Sequence, residues 1–363
     1  MRKLSLQILF LAFICALTSC KERQSAGNYV VTKGANDYAS LFSIEKKDSA
    51  FNVCIFDKSG KKVNFSESFS QKNNPSKVVC MSTGHIAYMQ KLGLSDKIAA
   101  VSGGNYIYDN DIKDKISKGF IADIGYEGSL NYELLVKIDP DIIFTYGIEG
   151  ENNSYIDKLI KMGFRVVVLG DYLENHPLGK LEYLKLFGAI FNCAEKADSI
   201  YIKSRDKYIE ISAKITNSTP RKKILINAPW KEIWYIPGSE NYISVMIKDA
   251  GGEVLMSRKG ESASHPYNIE DVYKEALRAD LWLNPNNYHS IDELRDTNPL
   301  FKSLPVLRRG LVFNNNLRGT TYGGSDFWES GVTEPDVILE ELVRILHPDI
   351  LGKREIPVYY KEL

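Results

Sequence analysis

The residues best suited to chemistry are aromatic and cationic side chains in the loops that follow predicted strands. Stacked rings bury a large area with little loss of side-chain entropy, and an arginine pairs readily with ligand carboxylates. This combination is typical of a site for a large, planar or chelated ligand. The candidate ligand contacts of this kind are Tyr106, Tyr126, Tyr146, Trp230, Trp234, Arg318, Tyr322 and Trp328.

His85 and His265 lie beside the same loops and are further candidate ligand contacts, because an imidazole can donate to an anionic ligand. Neither belongs to an HExxH motif or to a close His/Cys spacing, so we predict no metal ligand and no bound cofactor. The chain also has no Walker A loop, no G-x-S-x-G elbow and no G-x-G-x-x-G after a strand. We therefore predict no catalytic residue and expect a protein that is not an enzyme.

Length and charge narrow the class of protein. The chain has 363 residues, of which 44% are hydrophobic, enough for a core in each of two or three domains. Its 46 basic and 46 acidic residues give a net charge of zero, with histidine counted as neutral. A nucleic-acid partner is therefore not expected, and recognition must depend on local charges.

The first twenty residues have the pattern of an export signal. Arg2 and Lys3 precede the run "LSLQILFLAFICA", which is too short to span a bilayer, and "LTSC" ends at Cys20. This ending resembles the lipobox of bacterial lipoproteins, so we expect Cys20 to be acylated and the protein to be lipid-anchored in the periplasm or cell envelope. The alternative is an ordinary secretory signal with an incidental cysteine.

Beyond this signal, a predicted hairpin around 58–61 is followed by short β-rich runs that alternate with helical segments, which indicates α/β lobes with mainly parallel sheets. Roughly forty residues from Pro177 lack a strand signal and predict one or two long helices. The expected segments are the signal peptide 1–19, the tether and β-rich extension 20–76, the N-terminal lobe 77–174, the helical connection 175–219, the C-terminal lobe 220–347 and the tail 348–363.

A similar acidic helix start occurs twice, in "NYELLVKIDPDIIFTYG" and in "NIEDVYKEALRADLWLN". In each, an asparagine precedes a glutamate by two positions, and an aspartate opens the next apolar run. The glutamates are Glu133 and Glu270. An acid in the first turn is favoured by the helix dipole, so one interpretation is that both residues only stabilise their helices.

The segments "KVVCMSTGHIAYMQKLGLSDKIAAVSGGNYIYD", "GYEGSLNYELLVKIDPDIIFTYG" and "ENHPLGKLEYLKLFGAIF" resemble the substrate-binding proteins of ABC importers for ferric siderophores, haem and cobalamin. The resemblance runs from about Lys77 to His347. It implies the class III periplasmic binding protein fold, in which a long helix joins two Rossmann-like lobes and the ligand binds between them. The 20–76 extension departs from the best-known members.

The resemblance also implies partners and roles. Glu133 and Glu270 would dock onto arginine pockets of the two permease subunits of an ABC transporter with its ATPase. The resemblance also implies that six of the candidate residues contact the ligand, namely Tyr106, Tyr126, Trp230, His265, Arg318 and Trp328.

The expected protein is a monomer that captures an iron chelate, such as a siderophore or haem, or a corrinoid. Because Arg318 is the only arginine in a proposed cleft loop, a neutral or mildly anionic chelate is favoured. Two alternatives stay open at this point. One is a chelatase-like enzyme that handles metals or tetrapyrroles through His85, His265 and Glu127, and the other is a ligand-sensing lipoprotein.

Overall fold

The computed structural model describes residues 36–147, 153–217, 219–352 and 356–363. The predicted signal peptide, Cys20 and the side chain of Glu127 lie outside this part of the chain. No helix among the described residues is both long and apolar enough to cross a membrane.

The described chain begins with a three-stranded antiparallel sheet made of β1 (Phe42–Lys47), β2 (Ala50–Phe56) and β3 (Val63–Ser70). The turn between β2 and β3 is closed by Asp57, whose carboxylate accepts hydrogen bonds from the backbone N–H (3.1 Å) and hydroxyl (2.6 Å) of Ser59. This confirms the hairpin predicted around 58–61. The sheet is tied to the N-terminal lobe by Arg165, whose Nε donates to Glu67 over 2.6 Å.

The N-terminal lobe contains a five-stranded parallel sheet with the order β6-β5-β4-β7-β8. Its strands are β4 (Val78–Cys80), β5 (Ile98–Val101), β6 (Ala122–Asp123), β7 (Ile142–Thr145) and β8 (Val166–Val168). Its helices are α1 (Thr83–Lys91), α2 (Asn110–Ser117), α3 (Tyr132–Ile138) and α4 (Ser154–Lys161).

Two helices, α5 (Pro177–Ile190) and α6 (Ala194–Ser212), connect the lobes. They are separated at Asn192, whose φ of 54° is left-handed. Almost every residue of α5 is buried, including the charged Lys180 and Glu182. A helix that is buried all round lies inside a packed structure, so α5 is a central element and not a surface linker.

The C-terminal lobe has a second five-stranded sheet with the order β11-β9-β13-β14-β15, in which only β15 runs antiparallel to its neighbour. Its strands are β9 (Lys222–Ile226), β11 (Gly252–Val254), β13 (Leu281–Leu283), β14 (Val312–Asn314) and β15 (Lys361–Glu362). A separate two-stranded antiparallel sheet pairs β10 (Ile233–Pro237) with β12 (Ser264–Asn268). The helices are α7 (Tyr242–Asp249), α8 (Ile269–Ala276), α9 (Ile291–Thr297), α10 (Pro305–Arg308), α11 (Pro335–Leu346) and α12 (Pro348–Leu351).

These sheets confirm the predicted fold class of two α/β lobes with mainly parallel strands. In each sheet the strand order reverses beside the first strand of the lobe, between β4 and β7 and between β9 and β13. Open α/β sheets bind ligands outside the carboxyl ends of their strands at such points. The loops that leave these ends are therefore the part of the fold that can build a site.

Buried glutamates fix both ends of the described chain. Glu182 of α5 accepts backbone hydrogen bonds from Asp37, Tyr38 and Ala39 over 2.8–3.0 Å. Glu341 of α11 accepts them from Tyr359 over 2.9 Å and so holds the tail whose β15 completes the second sheet. Charged side chains thus order both terminal segments, and the tail also buries Tyr359 and Tyr360.

Candidate functional site

A cleft with residues from both lobes lies between the loop after β14 on one side and, on the other, the loop after β5 together with α2. Its volume is about 480 Å³, which lies within the range of small-ligand sites. Hydroxyl and amide groups are frequent in its walls. The lining residues are Gly104, Asn105, Ile107, Lys113, Ile116, Ser117, Asp123, Gly319, Thr320, Thr321 and Tyr322.

The same two loops contact each other beside this cleft. Glu329, which follows β14, accepts hydrogen bonds from the backbone N–H groups of Tyr108 (2.7 Å) and Asp109 (2.8 Å). A Cβ atom at Gly324 would overlap the carbonyl oxygen of Tyr106, so this approach of the two backbones requires glycine. The final loop of the C-terminal lobe is therefore docked on the N-terminal lobe.

Two carboxylates in this contact have opposite electrostatic environments. Burial raises the pKa of Glu329 to about 7, because the charged form loses its hydration. Burial acts in the same direction on Glu334, but the Lys91 ammonium 2.7 Å away holds the pKa of that carboxyl below its ordinary value. Lys91 belongs to α1, so this ion pair is a second polar link between the lobes.

A smaller cavity of about 20 Å³ lies where α5, α7 and α11 approach the 327–332 segment. This is room for one water molecule. Its walls are apolar except for Lys180 and Tyr242. The lining residues are Pro177, Lys180, Tyr242, Met246, Phe327, Trp328, Gly331, Val332, Pro335 and Ile338.

The structure brings some of the predicted ligand contacts to these spaces. Tyr322 lines the larger cleft and Trp328 lines the smaller cavity, and both side chains are exposed. Tyr106, Tyr126 and Trp230 are also exposed, with Lys231 lying over the ring of Trp230. These five side chains are available to a ligand, and their roles stay predictions.

Arg318 already has partners within the protein. Its Nε lies 3.1 Å from the buried carboxylate of Asp326, and its guanidinium carbon lies 5.3 Å from the ring centre of Tyr108. Tyr108 is in the loop of the other lobe, so Arg318 stabilises the loop contact. A ligand would have to compete with or add to these interactions.

Two predicted ligand contacts are corrected by the structure. Trp234 is fully buried on β10, where its Nε1 donates to the carbonyl of Ile226 over 2.9 Å and its ring packs on Trp282. His85 is also fully buried, between Phe144 and Phe187, with its Nε2 3.8 Å from Asp171. Neither side chain can contact a ligand in a cleft.

The remaining predictions have mixed surroundings. His265 lies on β12 and is half-buried, with its Nε2 2.7 Å from Glu261. The backbone carbonyl of Tyr146 accepts a hydrogen bond from the hydroxyl of Tyr155 over 2.6 Å. Their contact with a ligand stays a prediction.

Glu133 and Glu270 occupy equivalent positions in the two lobes. Each is exposed in the first turn of the helix that precedes the second central strand, α3 before β7 and α8 before β13. The helix caps also match, since Asn131 accepts from the N–H three residues on (2.9 Å) and Asn268 does the same (2.8 Å). Neither glutamate forms an ion pair with another described residue.

Sequence reasoning missed Lys180 and Glu329. Lys180 carried a weak signal, because it interrupts the apolar run "PLGKLEYLKLFGAIF" in a helix predicted to be central. Glu329 carried none, since a buried acid in a loop cannot be distinguished from a solvated one by sequence. No group of three or more His, Cys, Asp or Glu side chains in the described ranges is arranged to hold a metal ion.

Comparison with known proteins identifies the class. The profile of the periplasmic binding protein family matches residues 78–314, well over half of the chain. The chain therefore belongs to the periplasmic binding protein family, as its sequence predicted, and is a substrate-binding component of the ABC transporter type.

Among curated sequences, an uncharacterised lipoprotein of Methanocaldococcus jannaschii is 26% identical over 306 residues, which cover 81% of this chain and 71% of that protein. An uncharacterised ABC transporter substrate-binding lipoprotein of Bacillus subtilis is 23% identical over 206 residues, which cover 56% of this chain and 60% of the relative.

Solved structures share the fold. A periplasmic binding protein from Veillonella parvula has a TM-score of 0.60 at 17% identity, over 85% of this chain and 98% of that one. A periplasmic haem-binding protein from Pseudomonas aeruginosa has a TM-score of 0.57 at 17% identity, over 78% and 99%.

Proposed function

We propose that this protein captures an iron chelate, such as a siderophore or haem, or a corrinoid between its lobes and delivers it to an ABC permease. The observation that carries this proposal is the cleft of about 480 Å³, whose walls come from the loop after β5 and α2 in one lobe and from the loop after β14 in the other. Because one wall of the site lies on each lobe, the ligand contacts depend on the distance and angle between the lobes. A movement of one lobe away from the other would therefore release the ligand to the permease.

The chemistry of the walls supports a large cargo with both polar and flat surfaces. Tyr322 offers an exposed ring for stacking, while Ser117, Thr320 and Asn105 offer hydrogen bonds. Trp328, an exposed ring in the wall of the smaller cavity, is proposed as a further stacking contact. A haem-binding protein is among the proteins with the same fold, which supports a chelate as the cargo class.

Glu133 and Glu270 are proposed as the two contacts with the permease. Both carboxylates are exposed, unpaired among the described residues and at matching helix starts. An exposed carboxylate forms bidentate hydrogen bonds with arginine, and a pair of such contacts fixes the orientation of docking. The partner is an ABC permease dimer with its ATPase.

Attachment to the membrane is proposed to occur through acylated Cys20, with the protein working as a monomer in the periplasm or cell envelope. The curated relative in Methanocaldococcus jannaschii is a lipoprotein, which supports this anchor. Replacing Cys20 with serine removes the acylated sulfur. The C20S protein should then appear in the soluble fraction.

A thermal-shift panel tests the cargo. Haem, cobalamin, corrinoid precursors and ferric siderophores are each added to the protein, with iron-free siderophores and free ferric iron as controls. Because a ligand that binds only the folded state at 100 times its Kd adds about 2.7 kcal/mol, one class should raise the Tm by several degrees. If no member of the panel shifts the Tm at saturating concentrations, the proposed cargo is wrong.

A further inference from the structure

The turn between β2 and β3 presents three lysines at one end of the first sheet. Lys58, Lys61 and Lys62 are all exposed, and neither Lys61 nor Lys62 forms an ion pair or a side-chain hydrogen bond with another described residue. The acid of this turn, Asp57, accepts hydrogen bonds from the backbone N–H groups of Lys61 and Lys62, both over 3.2 Å. These bonds fix the turn, so an ordered part of the chain presents the ammonium groups.

This turn lies beside the point at which the described chain begins. Phe56, which directly precedes the turn, donates its backbone N–H to the carbonyl of Leu41 over 2.8 Å. Asn36, the first described residue, donates from its side chain to the carbonyl of Phe42 over 2.8 Å. The part of the chain that leads back to Cys20 therefore leaves the sheet next to the three lysines.

Buried carboxylates hold the segment on which the turn packs. Glu174 accepts hydrogen bonds from the backbone N–H groups of Ser40 and Leu41 over 2.9–3.0 Å, and Glu182 holds the three residues before them. A Cβ atom at Gly60 would lie 3.6 Å from the carbonyl oxygen of Ser40, so the turn contacts this segment directly. The lysines thus have a fixed position relative to the exit of the chain.

Chain length and charge place this end of the protein near the proposed lipid anchor. Sixteen residue steps separate Cys20 from Asn36, so the two lie at most about 55 Å apart at about 3.5 Å per step. The residues between them carry three basic side chains against one acid, namely Lys21, Arg23, Lys33 and Glu22. Apart from these residues and the turn, the chain after Cys20 has six more acidic than basic residues. Positive charge is therefore concentrated at the end of the protein that is tied to the anchor.

We propose that the 57–62 turn contacts the anionic headgroups of the membrane that holds the lipid anchor, and so fixes which side of the protein faces the bilayer. A negatively charged lipid surface attracts basic segments that come within a Debye length of it. Such a surface supplies many headgroups at once, which suits ammonium groups spread over an open turn. The inference rests on the proposed function only for the anchor at Cys20.

The test uses the acylated protein in vesicles of phosphatidylcholine alone, or of phosphatidylcholine and phosphatidylglycerol in equal parts. Lysines are acetylated briefly with an uncharged reagent, and mass spectrometry gives the rate at each position. Lys61 and Lys62 should react about fivefold more slowly in the anionic vesicles, because contact with headgroups shields the amine and favours its charged form. Lys47, which is exposed at the opposite end of the same sheet, should react equally in both.

Charge variants test the same contact without the acyl group. In a Cys20→Ser background, Lys61→Gln/Lys62→Gln should bind the anionic vesicles about 30-fold more weakly than its parent at about 0.01 M salt, where screening is weak. Lys46→Gln/Lys47→Gln removes the same charge from the other end of the sheet and should bind as the parent does. All four lysines are exposed, so both variants should fold.

Equal acetylation of Lys61 and Lys62 in the two kinds of vesicle, or equal binding by the two double variants, would overturn the assignment. A lack of acylation at Cys20 would remove the proposed anchor, and the vesicle binding of the Cys20→Ser proteins would still decide whether the turn contacts lipid. Failure of every chelate in the thermal-shift panel would remove the proposed cargo and leave this membrane contact in place.

Discussion

The carboxylate of Glu329 accepts a 2.7 Å hydrogen bond from the backbone N–H of Tyr108, and this bond joins the last loop of the C-terminal lobe to a loop of the N-terminal lobe. Glu329 is almost fully buried, the charges of Asp326 and Asp109 add to burial in raising its pKa, and Arg318 is paired to Asp326. The link between the lobes therefore contains a group whose charge is costly.

This environment predicts a pH dependence of stability. The pKa of Glu329 is about 7 in the folded protein against an ordinary value of 4.5, so the folded state binds the proton more tightly than the unfolded state. Protonation of Glu329 therefore adds to the free energy of unfolding. This stabilisation is fully present below about pH 4.5, is lost as the pH rises through about 7, and amounts to at most about 3 kcal/mol.

Glu329→Gln removes this titration. The free energy of unfolding of the wild type minus that of the variant, measured by urea denaturation from pH 5 to pH 8, should fall as the pH rises. Glu232→Gln, an exposed substitution, should give a flat difference. A flat difference for Glu329→Gln as well would contradict the role given to this carboxylate.

Substitution by alanine should affect stability at Trp234 and ligand binding at Trp328. Trp234→Ala empties a packed site against Trp282 and Phe301 and should cost about 3–5 kcal/mol of stability. Trp328→Ala removes a half-exposed side chain that packs on Phe327 and should cost about 1–2 kcal/mol, less than Trp234→Ala, yet weaken binding of the chelate identified by the panel. Denaturation and fluorescence titration measure the two effects, and unchanged affinity in Trp328→Ala would remove this residue from the site.

The first described segment should depend on one carboxylate. Glu182 accepts three backbone N–H groups, and a glutamine at this position would offer only one acceptor oxygen. Glu182→Gln should therefore lower stability by about 2–3 kcal/mol and expose the 36–41 segment to protease. Glu195→Gln, on the exposed face of α6, is the control. Wild-type stability and protease resistance in Glu182→Gln would show that the segment is held by other contacts.

The fold could be predicted because its signals are local. Apolar runs such as "DIIF" and "DLWL" became buried strands, and asparagine caps at Asn131 and Asn268 began helices where the sequence predicted them. The separate two-stranded sheet of β10 and β12 was not predicted, since its pairing joins residues about thirty positions apart. Trp234 was therefore mistaken for a loop residue although it belongs to this sheet.

The site could be predicted only in outline. Exposed rings such as Tyr322 were found because their loops follow strands, and sequence order alone gives that position. The contact of Glu329 with Tyr108 joins residues more than two hundred positions apart, and the burial of His85 and Lys180 depends on how both lobes pack around α5. No local pattern encodes these relationships.

The central claim is that both lobes dock onto the permease to transfer the cargo. It is tested most directly by measuring uptake into vesicles that contain the permease and its ATPase. The double variant Glu133→Arg/Glu270→Arg should bind the chelate with wild-type affinity and fail to support uptake, because both negative charges that meet arginine would be reversed. Glu195→Arg, which reverses an exposed acid in the first turn of α6, should transport normally. Wild-type uptake by the double variant would contradict the account.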